Sequence, residues 1–193
     1  MLEAGTANTP VRLHGGPFAT QMSGSLSSLY QQNTILVSPF SPPGFCWGNR
    51  LSVSVLGAYS GAHVRVGLYQ DNGDLYPGRK LFDSGAINPG SSGYYDVSTA
   101  NWGFQPDKIY WSAIWQYQAS GAAYLSGGMP ILPMAHHGNV FPTGQEDLSP
   151  YCFFGGYEYP LVWDAAVSLP DPFPEGAIPS FRAFSVEFIL RTV

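Results

Sequence analysis

Apolar and polar positions alternate with a period of two along most of the stretch from Leu51 to Tyr117. Leu51-Ser-Val-Ser-Val-Leu56 alternates apolar with small polar residues. His63-Val-Arg-Val-Gly-Leu-Tyr-Gln70 does so again and puts Val64, Val66 and Leu68 on one face. Ile109-Tyr-Trp-Ser-Ala-Ile-Trp-Gln-Tyr117 carries large residues on both faces: Trp111, Trp115 and Tyr117 on one, Tyr110 and Ile114 on the other. Asp71-Asn-Gly-Asp74 and Pro77-Gly78 punctuate the runs with turn chemistry. This combination predicts short antiparallel strands on tight turns, with almost no helix-forming sequence between them.

Further strands are expected on either side. Thr34-Ile-Leu-Val37 opens the sheet, and Ser38-Pro-Phe-Ser-Pro-Pro-Gly44 should end that strand, because proline cannot donate to a ladder. Lys80–Asp83, Tyr94–Val97 and Ala122–Leu125 read as shorter strands. From Gly127 to Pro179 the chain is rich in proline and reads as long loops, which in compact domains serve a function or are held by a partner. Phe181–Leu190 returns as a final strand with Phe184, Val186, Phe188 and Leu190 on one face. Residues Met1–Gln32 lack a clean period and read as an arm or attachment segment, with a helical turn conceivable at Leu26–Gln31. The expected organisation is therefore an N-terminal arm over 1–32 and one β domain over 33–193.

Composition adds a second constraint. Aromatic residues make up 15% of the 193 residues and charged residues 11%, where an average soluble domain carries about 25% charged. No Asp, Glu, Lys or Arg stands between Arg12 and Arg50, or between Lys108 and Glu146. Two accounts fit so sparse a charge: a surface kept wet by neutral polar residues, or one buried in an assembly. The net charge of −5 and the absence of a basic stripe argue against nucleic-acid binding. No export leader and no membrane span are expected from the hydropathy pattern. Cys46 and Cys152 lack metal-ligand spacing and are expected as packed, reduced thiols, although a disulfide between them stays open.

The order of elements resembles a β-sandwich module of tailed-bacteriophage structural proteins, found at head- or tail-fibre tips and in decoration proteins. The resemblance is carried by the opening strand with its proline exit at Asn33–Pro43, by Arg65-Val-Gly-Leu-Tyr69 and by the turn-rich Asp71–Gly78. Ser84-Gly85, the run Pro106–Ala113 and the closing strand Pro179–Arg191 complete it, so it covers about Gln32 to the C-terminus. Its motifs are structural rather than catalytic. The resemblance implies attachment to a virion, contact with a host surface, or both. Fibre proteins carry a long stalk before this module, whereas Met1–Gln32 is short, which points to a compact decoration protein or a small spike.

Several constellations invite chemistry and have plainer readings. Trp111, Trp115 and Tyr117 could stack on sugars, but core or subunit interface is the more economical use of a sheet face. Tyr69, Tyr76, Tyr94 and Tyr95 sit beside turns, where rigid aromatics with polar tips could contact a glycan. Asp71, Asn72 and Asp74 could offer oxygens to Ca²⁺, yet Asn-Gly in a hairpin needs no metal. One histidine of His136-His137 per subunit could bind a metal across a threefold axis, but a solvated or hydrogen-bonded loop pair is the plainer reading. Glu146, Asp147, Glu158, Asp164, Asp171 and Glu175 show no spacing that marks a hydrolase pair.

The expectations are then an all-β, antiparallel, jelly-roll-like sandwich without cofactor or metal. Its expected role is non-enzymatic: a structural component of a virion surface, assembled in the host cytoplasm. It would be a homo-oligomer, with a trimer favoured, and would bind a capsid, tail or fibre protein through its arm. Tyr69, Tyr76, Tyr94 and Tyr95 are the candidate glycan contacts. Trp111, Trp115, Tyr117, His136 and His137 are the candidate oligomer or particle contacts. A carbohydrate-binding adhesin is the first rival and a glycan hydrolase the second.

Overall fold

The structure, a computed structural model, describes residues 11–14, 22–23, 33–40, 46–57, 61–117, 124–125, 127–130, 156–180, 183–184 and 186–191. The protein is all-β: among the described residues every regular element is a strand and every strand pairing is antiparallel. The strands are β1 (Val11–His14), β2 (Met22–Ser23), β3 (Thr34–Phe40), β4 (Cys46–Gly57), β5 (His63–Asp71), β6 (Pro77–Asp83) and β7 (Gly93–Phe104). They continue with β8 (Tyr110–Tyr117), β9 (Tyr124–Leu125), β10 (Gly127–Pro130), β11 (Gly156–Pro160), β12 (Ile178–Ser180), β13 (Ala183–Phe184) and β14 (Val186–Arg191).

One sheet has the order β12-β11-β3-β8-β5-β6. A second runs β1-β14-β4-β7, with β9 also paired to β4, and a small third sheet is β13-β10-β2. Two pieces of the N-terminal region are thus hydrogen-bonded into sheets. Val11–His14 pairs with β14, and Met22–Ser23 pairs with β10.

The period-two pattern of the sequence becomes the two faces of the six-stranded sheet. Leu36, Ile114 and Val66 lie side by side across β3, β8 and β5. With Val64 and Leu68 they face Leu51, Val53, Val55 and Phe104 of the second sheet, in one buried apolar cluster. Val64, Val66 and Leu68 have no exposed surface. This inter-sheet layer is mostly aliphatic, as β-branched and leucine side chains fit a pleated surface well.

The opposite face holds a different set. Pro39, Trp111 and Tyr69 form one cross-strand row, and Val37, Ala113 and Gly67 form the next. Ile35, Trp115 and Arg65 form a third. The middle row is low because Gly67 has no side chain. Leu169 fills that place, and a Cβ on residue 67 would overlap its Cδ1 and crowd the Phe82 carbonyl. Trp111, Trp115, Tyr69, Tyr157, Trp163 and Phe173 make this second cluster predominantly aromatic.

Two expectations about the strands change. β3 runs through Pro39 to Phe40 instead of stopping at Val37. Its neighbour β11 reaches only to Val37, so Pro39 lies beyond the end of that ladder, where a missing donor is tolerated. The stretch read as loops from Gly127 to Pro179 contains β10, β11 and part of β12. β11 begins at Gly156, which holds φ of +150° and packs so closely that a Cβ would collide with the Val37 carbonyl. Only glycine fits that approach.

Candidate functional site

Residues 161–177 form no helix or strand. They lie as a strap over the aromatic face of the six-stranded sheet, with Trp163, Leu169 and Phe173 buried in that cluster. An irregular segment cannot satisfy its own backbone polar groups, so packing it costs stability unless the sheet supplies partners. Here the side chains beneath it do so. Trp115 Nε1 donates to the Leu161 carbonyl at 3.1 Å, and Tyr69 Oη to that of Pro170 at 2.9 Å. Tyr76 Oη donates to the Pro174 carbonyl at 2.6 Å and accepts from the Ala177 amide at 3.1 Å. Asn33 takes both the Leu161 amide, on its carbonyl, and the Trp163 amide, on its Oδ1.

An ionic cluster fixes the middle of the strap. Arg65 is 4% exposed and meets both carboxylate oxygens of Asp83 through Nη1, at 3.0 and 3.1 Å. Its Nη2 donates to the Ala165 carbonyl at 3.0 Å. Asp83 also accepts from the Leu169 amide at 2.6 Å, and Lys80 Nζ donates to the Leu169 carbonyl at 2.5 Å. Both backbone groups of Leu169 are therefore held by charged partners, the stronger class of hydrogen bond. Arg65 also lies 6.0 Å from the Trp115 ring and 5.8 Å from that of Trp163, where a guanidinium is attracted to the ring faces.

Trp111 and Trp115 have no exposed surface and belong to the core under the strap, so in this arrangement they offer no face to a sugar or to another subunit. Tyr117 is half-buried and lies with His63 and Trp163 in a group of near-parallel rings. Tyr69 stands beside a turn in sequence, yet it is fully buried. Its hydroxyl, like those of Tyr76 and Tyr157, is pushed above the ordinary phenol value chiefly by burial. Tyr95 closes its own loop, accepting from the Ser91 amide and donating to the Ser91 carbonyl. Tyr94 lies in β7, but its side chain is outside the described set. His136, His137 and Cys152 are also outside the described residues.

The acidic turn after β5 is held by itself. The Gly73 amide donates to Asp71 Oδ2 and the Asp74 amide to Asn72 Oδ1, both at 2.8 Å. Asp71 Oδ1 accepts from Trp111 Nε1 at 2.8 Å. Both Asp71 oxygens are thus engaged by N–H donors, and among the described residues no acidic, His or Cys group has the makings of a metal site.

A cleft of about 490 Å³ opens beside this turn, where the ends of the two large sheets meet. β7 contributes Trp102 and Phe104, β8 contributes Tyr110, and the turn between them contributes Gln105, Asp107 and Lys108. Trp102 and Tyr110 are half-buried. Trp102 stands edge-on to Phe82 at 5.1 Å, and Tyr110 edge-on to Phe104 at 5.0 Å. The Tyr110 oxygen accepts from the Gln105 amide at 3.1 Å, which ties the turn to the strand. The sequence pointed to Asp71 as a possible cation ligand, to Tyr110 as part of the aromatic strand and to Gln105-Pro-Asp107 as a turn, but not to a shared site, and it did not single out Trp102 or Phe104. The available signal was a tryptophan two residues from a Phe and followed by a Gln-Pro-Asp turn. Compared with known proteins, the chain matches no family model, no curated protein and no solved structure.

Proposed function

We propose that this chain is a non-enzymatic structural protein of a tailed-phage virion surface, a decoration protein or short spike built on a jelly-roll-like β-sandwich. The observation that carries the reading is the six-stranded sheet with both faces covered, one by the second sheet and one by the bonded strap. Such bracing suits a part that must stay folded while exposed on a particle. The sequence supports the same reading through its sparse charge and through the resemblance of Gln32 onward to phage modules. Attachment through the N-terminal region and self-association as a trimer belong to this proposal.

Immunogold electron microscopy of particles made by the encoding genome tests it directly, with label expected on the head or tail surface. Label confined to the host cell and absent from purified particles would overturn it. Light scattering after size-exclusion chromatography tests the oligomer. A monomer at all concentrations would remove the trimer from the proposal. A second reading, a carbohydrate-binding adhesin, is favoured by one feature, the cleft between the sheet ends.

A further inference from the structure

Aromatic donors beneath the strap and those in the cleft are used differently. Under the strap the indole N–H groups of Trp111 and Trp115 and the hydroxyls of Tyr69, Tyr76 and Tyr157 all donate to protein acceptors. In the cleft, among the described residues, the Trp102 indole N–H meets no acceptor. Tyr110 Oη accepts a bond from Gln105 and keeps its own proton available. Lys108 and the side chain of Gln105 are exposed and likewise unengaged among the described residues.

We propose that this cleft is a saccharide-binding site that takes a neutral pyranose unit of a surface glycan. Its volume of about 490 Å³ lies within the range of small-molecule pockets, about 300–1,000 Å³. Two half-buried aromatic side chains give the apolar area that the C–H faces of a pyranose need, and their polar tips add donors. The Gln105 side chain offers both a donor and an acceptor, and Gln70, whose Oε1 takes Arg79 at 3.4 Å, adds its amide donor, which matches a ligand whose hydroxyls do both. The charges select against other ligands. Lys108 is accompanied by Asp107 and Asp71, so a phosphate or a polyanion meets as much repulsion as attraction. The Asp71 oxygens are already bonded to Trp111 and Gly73, which leaves them poorly placed to take a cation. A purely apolar ligand would bury the donors of Trp102, Tyr110 and Gln105 without partners, at a cost in affinity.

The site also has a frame of its own. It is built by the end of β7, the start of β8 and the turn after β5, away from the strap. It deepens the host-contact side of the proposed function and rests on that reading only for the source of the sugar.

The test uses the full chain. Nitrogen-15 NMR spectra are recorded during titration with glucose, galactose, mannose and N-acetylglucosamine, and an array of bacterial surface polysaccharides is probed in parallel. At least one sugar is expected to shift the Trp102 indole signal and the Gln105 side-chain amide. Gln105→Ala combined with Lys108→Ala changes exposed side chains and should weaken that binding about tenfold while leaving the thermal midpoint in place. Trp102→Ala should abolish it. If that variant fails to fold, the double variant decides. Shifts confined to residues outside the cleft, no response to any sugar on either platform, or unchanged affinity in the double variant would overturn the proposal. Loss of sugar binding alongside gold label on particles would sink this site and leave the structural role standing. The converse result would do the reverse.

Discussion

The two faces of the six-stranded sheet are buried by different means. Between the sheets, Val64, Val66, Leu68, Leu36 and Ile114 meet mostly aliphatic partners, with Phe40 and Phe104 beside them. The strands on either side already satisfy their own backbones through their ladders. Under the strap the packed side chains are mostly Trp, Tyr and Phe, and the charged Arg65 joins them. The covering segment has no ladder, so its carbonyls and amides must be met by indoles, phenols, a carboxylate and a guanidinium. Regular elements can be covered by hydrocarbon alone, whereas an irregular cover calls for side chains that are apolar along their length and polar at the tip.

This contrast can be broken most severely at Asp83. Asp83→Ala removes the acceptor shared by Arg65 and the Leu169 amide and strands a buried guanidinium. A loss of about 3–5 kcal/mol is expected. Hydrogen exchange should show the Leu169 amide losing protection before the strands do, and denaturant melts give the magnitude. Next is Leu68→Ala on the aliphatic side, expected to cost about 2–5 kcal/mol through the cavity it leaves. Here the two sheets share the loss, so exchange should rise together in β4, β5 and β8. If Leu68→Ala freed only the strap, the division into two regions would be wrong.

Smaller effects sharpen the comparison. Tyr69→Phe keeps the ring but leaves the Pro170 carbonyl without its donor, an expected cost of about 1–3 kcal/mol in denaturant melts. Leu68→Met, a swap of similar volume on the other face, should cost less than about 1.5 kcal/mol. The mildest probe is alkaline pH. Tyr76 and Tyr157 have folded-state values raised above the ordinary phenol value of 10.0, mainly by burial. The unfolded chain therefore gives up these protons first. Their stabilisation is complete below pH 10 and declines as pH rises above it toward the folded values. Stability measured from pH 8 to 11 should fall at the upper end, and less so in Tyr76→Phe.

Much of the strand pattern was legible in the chain, for a physical reason. Alternation at Val64, Val66 and Leu68, and at Tyr110 to Tyr117, is a local consequence of pleating, so it is readable without a partner. Pro39 misled because a missing N–H matters only where a neighbour would have accepted it, and that neighbour is 118 residues on at Tyr157, paired to Val37. The strap was unreadable as a cover because its bonds join distant residues, such as Arg65 with Ala165. Parity offered a clue for Tyr69: an odd position in β5 points away from Val66 and Leu68, and hence toward whatever covers the other face. The cleft was hidden for a related cause. Its walls come from both large sheets, and no single stretch of sequence carries them together.

One feature of the strap bears on how the molecule meets its own kind. The Phe173 amide reaches the Gly78 carbonyl, and Asp171 Oδ1 takes the Lys80 amide, both along the outer side of β6. β6 is the last strand of its sheet, and bare borders of that sort invite a stranger's strand to zip on. Two of its backbone groups are already occupied from within the same molecule, so runaway fibre growth from that border is blocked at those positions.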